Sequence, residues 1–107
     1  MNIVHFSRTP SAGSPIRLVN ALKKNTNYNI HLIDLKRWDI FPHDIVFEDE
    51  KEKAVELANN ADIIHFHHYF DLSNNEFNPI NFKEIKNNGT SFIMQFRTNP
   101  NFTAKSA

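Results

Sequence analysis

The chain has 107 residues, 40% of them hydrophobic, enough for one small domain with a core and too few for two. Its 12 basic and 12 acidic residues cancel, which argues against a general electrostatic grip on nucleic acid or acidic lipid. There is no cysteine, so disulfides, zinc-thiolate sites and thiol nucleophiles are excluded.

Asn2 to Phe6 is a short apolar run and predicts a first strand. Ser7 to Ser14 follows, with Pro10 and Gly13 marking a loop. Ser14-Pro15 reads as a helix start, and Ile16, Val19 and Leu22 carry an apolar face through about Lys24. Tyr28 to Leu35 predicts a second strand. Lys36 to Asp44 is irregular around Pro42; Trp38 and Phe41 there read as a local core plug. Ile45-Val46-Phe47 predicts a short third strand, and Glu48 to Asn60 a helix with an acidic, solvated start. Asp62 to His67 is the most informative segment, an apolar strand that ends in imidazoles. Ser73 to Asn81 is polar and loop-like. Phe82 to Asn88 predicts a short helix closed by Gly89, and Ser91 to Phe96 a last strand.

Strands alternating with helices predict a doubly wound α/β domain, with a mainly parallel sheet and helices on both faces. Ligands of such sheets bind beyond the carboxyl ends of the strands, where the strand order reverses. With the first strand beside the Asp62–His67 strand, one rim collects Ser7 and Arg8, His67 and His68, and Arg97. Gly13 and Ser14, at a helix N-terminus, add backbone N–H groups suited to a phosphate or a sugar hydroxyl. Arg8 and Arg97 would suit an anion. His5 and His65, inside strands, read as packed structural histidines; His31 and His43 carry no readable signal. His65 and His67, two apart, share a strand face, and with Asp71 they are the one candidate metal set. No HExxH and no second clustered carboxylate accompanies them, so no metal is expected.

Three segments together resemble the amino-terminal Rossmann-like domain of GT-B glycosyltransferases of the retaining, family-4-like group. They are the opening strand Asn2-Ile3-Val4-His5-Phe6-Ser7, the glycine-containing loop and helix Ser11 to Leu22, and Asp62-Ile63-Ile64-His65-Phe66-His67. The resemblance implies half of a GT-B architecture, acting in sugar transfer from a nucleotide-sugar donor to a glycan or lipid-linked acceptor. It implies His67 as the catalytic-site residue in the cleft. Gly13 would lie near donor phosphates or acceptor; Ser7, Arg8, Ser14, His68 and Arg97 are the further substrate contacts that the rim itself suggests. The co-substrate is the nucleotide sugar, and no separate cofactor is implied. The family's adjacent glycines are replaced by Ala12-Gly13-Ser14-Pro15, and nothing matches the paired-glutamate motif of its carboxy-terminal domain.

Residues 1–107 are therefore expected to be the acceptor-side domain of a longer enzyme, lacking the donor-binding domain and inactive alone. The competing reading is a non-enzymatic flavodoxin-like module that binds a nucleotide or a partner. A dinucleotide-binding version would use Asp34 at the end of the second strand, but lacks the glycine fingerprint. Met1 to His5 has neither a charged region nor a long apolar run. The expected location is the cytoplasm, at the inner face of the membrane where the acceptor is lipid-linked.

Overall fold

The computed structural model describes residues 1–8, 14–38, 42–68 and 75–94. In chain order the elements are β1 (Asn2–Ser7), α1 (Ser14–Asn25), β2 (Asn29–Asp34), β3 (Ile45–Val46), α2 (Lys51–Asn59), β4 (Ile63–Phe66), α3 (Phe82–Asn87) and β5 (Ser91–Met94). The strands form one sheet in the order β3-β2-β1-β4-β5, with every pair parallel. Helices flank both faces, giving the Rossmann-like α/β architecture that the alternation predicts. The chain winds outward from β1 in both directions, so the order reverses between β1 and β4. No helix among the described residues is long and apolar enough to cross a membrane.

Strand alternation sorts the side chains. Val4, Phe6, Ile33, Ile64 and Phe66 join Ala54 and Ala58 of α2 and Phe82 and Ile85 of α3 in the larger core. Its centre is aromatic. Phe6 meets Phe77 and Phe82 edge-on, with ring centroids 5.0 and 5.2 Å apart, and Phe66 meets Phe82 at 5.2 Å. On the other face, Ile16 and Val19 of α1 bury against Ile30 and Leu32 of β2.

Helix ends follow their sequence signals. α1 opens at Ser14, so Pro15 lies in the first turn, where a missing N–H breaks no helix bond. Its last carbonyls are taken by Asn25 and Thr26, whose side chains donate to Ala21 O and Leu22 O, both at 2.8 Å. The Asn81 side chain caps α3 by accepting from the Glu84 N–H at 3.1 Å. Gly89, with φ of 100°, ends α3 in a Schellman turn: its N–H donates to Lys86 O, and the Thr90 N–H donates to Ile85 O.

Several boundaries are shorter than expected. The helix starts at Lys51 rather than Glu48, because the Asp49 and Glu50 N–H groups both turn back to Val46 O. The last strand is described only as far as Met94. The polar tract before α3 is no bare loop: Phe77 and Ile80 are buried in the core. The Asn75 side chain folds that turn by accepting from the Phe77 N–H and donating to Ile80 O. Trp38 is 41% exposed and plugs no core, while Phe41 lies outside the described residues.

Two substitutions test this account by urea unfolding. Phe77→Ala removes the ring wedged among Phe6, Phe47 and Phe82 and should lower stability by about 3–5 kcal/mol. At Gly89 an added Cβ meets nothing within 4 Å, so Gly89→Ala should cost only the left-handed backbone term, about 1–2 kcal/mol.

Candidate functional site

Register builds the site. β1 and β4 pair in parallel with Ile3 opposite Ile63 and His5 opposite His65. Both histidines therefore leave the sheet on the α1 face, next to Leu32, the β2 partner of His5. His67 follows two residues after His65, and its N–H continues the ladder to Phe6 O at 3.0 Å. Three imidazoles thus stack. Ring centroids are 4.6 Å apart for His5 and His65, 5.0 Å for His5 and His67, and 4.7 Å for His65 and His67. His5 and His67 are buried, and Nδ1 of His5 lies 2.8 Å from Nε2 of His67 in a hydrogen bond. His65 is half-buried, because its β5 neighbour Ile93 is 45% exposed on the same face. One potential ligand atom from each of the three lies within 4.8 Å of the others.

Electrostatics keeps His5 neutral. Burial, and secondarily the charge of His65, lowers the His5 pKa to about 4 from its ordinary 6.5. Beyond the strand ends, His68 sits with its ring toward the edge of Phe66, on the α2/α3 side of the sheet. Burial, then the nearby Arg8 guanidinium, lowers its pKa to about 4 as well.

The rim residues expected from the sequence divide into three sets. Ser7 and His67 are buried, at 1% and 3% exposure, on the α1 side. Arg8 and His68 lie at the end of β1 and β4 on the opposite side, with Arg8 held by Glu76 at 2.7 Å. Gly13 and Arg97 lie outside the described residues, as does the side chain of Ser14, whose backbone opens α1. Asp71, the carboxylate considered beside His65 and His67, is also outside them. His67, expected at the strand tip, has its ring buried at 3% exposure. The β1 register and the His5 bond draw its ring beneath the rim.

The residue that sequence reasoning left out of the site is His5. Its signal was the pairing register, which no local pattern reports. Two other histidines have structural partners. His43 Nδ1 lies 2.7 Å from Asp34 Oδ2, and the His43 ring also bonds the backbone of Trp38. Burial raises the Asp34 pKa, against the opposing hydrogen bond from His43. This carboxylate is 4% exposed and already engaged, which removes it as a ribose-binding acid. His31 bonds Asp44, which also accepts from the Leu32 N–H and from Lys23. Burial alone would raise Asp44; those donors and charges together hold it below the usual carboxylate value.

The acid that opens the histidine strand works at the other end. Asp62 accepts from the Asn2 N–H at 2.7 Å and donates its own N–H to Asn2 O at 2.7 Å. A surface hollow between Asn2, Asn29, His31 and Asn60 also lies at this amino end, away from the imidazoles and the rim. Comparison with protein-family models, with curated proteins and with solved structures returned no match.

Two imidazoles, one on each face of the sheet, carry a pH signature. His5 and His68 stay unprotonated in the fold and take up protons near pH 6.5 once unfolded. Their stabilisation is complete above pH 6.5 and is lost as the pH falls toward 4. For buried His5 the loss should be of the order of 3 kcal/mol, and smaller for half-buried His68. Urea unfolding from pH 7 to 4, with EDTA present, should show that fall, and His5→Gln should flatten the curve.

Proposed function

We propose that this chain is the acceptor-side half of a retaining, GT-B-type glycosyltransferase that moves a sugar from a nucleotide-sugar donor to a glycan or lipid-linked acceptor. The observation that carries the reading is the sheet order, which reverses between β1 and β4. The carboxyl ends of those two strands are followed by Ser7-Arg8 and His67-His68. Two of the three segments behind the resemblance are thus neighbouring strands, β1 and β4, and the third contributes α1, which packs over β1 and β2.

The chemistry of the rim is compatible with such a role. Sugar hydroxyls are bound by groups that both donate and accept, and a neutral imidazole does both. His67 is oriented through its bond to His5, in the manner of a base held by a second group. Arg8 supplies a cation at the rim, with Glu76 fixing its direction. Transfer also needs the leaving diphosphate stabilised and both substrates held in near-attack geometry. Among the described residues one rim encloses neither, which supports a second, donor-binding domain as the partner. On this reading the enzyme works in the cytoplasm, at the inner face of the membrane where the acceptor is lipid-linked.

Two measurements test the proposal. The 107-residue chain alone should give no turnover with nucleotide sugars, yet acceptor glycosides should shift the backbone amide signals of Arg8, His67 and His68. In the full-length protein, His67→Ala should lower kcat/KM by at least about 100-fold, the range of a lost acid–base or orienting group, with the circular dichroism spectrum unchanged. Unchanged kinetics would remove His67 from the site. Amide shifts produced by NAD and not by glycosides would replace the reading with a nucleotide-binding module.

A further inference from the structure

The stack of His5, His65 and His67 has a use that sugar transfer does not require. We propose that these three imidazoles form a zinc site, one ion per chain, on the α1 face of the sheet. The inference stands on the geometry of the cluster and does not depend on the sugar-transfer reading.

The donor set fits a borderline ion. Three neutral nitrogen ligands with no thiolate suit Zn²⁺, Co²⁺, Ni²⁺ or Cu²⁺ rather than Mg²⁺ or Ca²⁺, which take oxygen. The donors now span up to 4.8 Å. Tetrahedral zinc, with Zn–N of about 2.0–2.1 Å, needs donors about 3.4 Å apart. His5 Nδ1 and His67 Nε2 are already closer than that, at 2.8 Å, because a proton lies between them. His65 must close by about an ångström and also turn out of its near-parallel stack with His67, 5° between ring planes, so that a ring nitrogen faces the ion. It is the half-buried member of the three.

The proton balance is simple. While the His5–His67 hydrogen bond is intact, one of the two facing nitrogens carries the proton and only the other offers a lone pair. If that proton moves to the outer nitrogen of the same ring, both rings remain neutral and two lone pairs face each other. Two facing lone pairs repel unless a cation lies between them. The ion therefore takes the place of the bridging proton, no proton is released from the pair, and His65 completes a three-nitrogen set. The outer nitrogen of His5, Nε2, is buried with no hydrogen-bond partner among the described residues. It is an atom whose present arrangement leaves its bonding capacity unused. Three protein ligands leave a fourth position for water, and solvent reaches the cluster on the open side beside Ile93.

The test is a titration of the chelator-treated 107-residue chain with ZnCl₂ and, separately, CoCl₂. One ion per chain should bind, Zn²⁺ should raise the melting temperature, and Co²⁺ should give the visible absorption of a four-coordinate nitrogen site. In ¹⁵N spectra of wild-type protein, the ring nitrogens of His5, His65 and His67 should move together, and those of His31 and His43 should not. His65→Ala, chosen because the residue is half-buried, should weaken binding at least about tenfold without altering the circular dichroism spectrum. His31→Ala should leave binding unchanged. Absence of binding at about 100 μM Zn²⁺, ring shifts confined to His31 or His43, or full affinity in His65→Ala would each overturn the site. No sugar substrate enters these measurements, so their failure leaves the transferase reading where it stands.

Discussion

The in-register pairing of β1 with β4 is the constraint on which the rest of the molecule depends. Asp62 fixes it at the amino end through its reciprocal bonds with Asn2, and the His67 N–H fixes it at the other through Phe6 O. Between them, alternation divides the strands. Val4, Phe6, Ile64 and Phe66 go to the aromatic core, and His5, His65 and His67 go to the α1 face. A slip of one residue would exchange these sets and push imidazoles among the phenylalanines. Burying unpartnered polar rings there would cost more than any single contact in the core contributes. The two faces therefore enforce one register from opposite directions.

That division explains what could be read in advance and what could not. The alternation of Asp62-Ile63-Ile64-His65-Phe66-His67 places His65 and His67 on one face from local pattern alone. The helices were legible through the spacing of Ile16, Val19 and Leu22 and through Gly89, whose left-handed backbone the end of α3 uses. His5 was not legible as a member of the cluster, because its partnership with residues sixty positions away is a matter of register. Phe77 and Ile80 were hidden for a different reason. They sit in a polar, proline-containing tract, and its composition gives no sign that the Asn75 turn aims two apolar side chains inward. Asp34 shows the converse. A carboxylate at the end of the second strand has the pattern of a ligand contact, but His43, nine residues on, occupies it.

Depth below the rim separates the chemistry that remains. Arg8, Glu76 and His68 lie at the strand ends on the α2/α3 side. His5, His65 and His67 lie one layer deeper, on the α1 side, and open to solvent through His65. A group at the rim acts by contact. A group in the buried stack acts through what it holds, whether a proton shared between two imidazoles or an ion in that proton's place. Both uses require the rings to be neutral, and burial enforces that for His5.

His67 belongs to both layers, which sharpens what it can do. Its backbone closes the β1–β4 ladder just below the rim, while its ring points back to His5. A neutral imidazole has one lone pair and one N–H. If the N–H is committed to His5, the lone pair remains for another partner; if the lone pair is committed, the N–H does. The inward nitrogen, Nε2, is the one that faces His5, so His5 decides whether the outward Nδ1 of His67 carries the N–H or the lone pair. The role of the histidine strand is thus set by β1, the strand beside it, as much as by its own sequence.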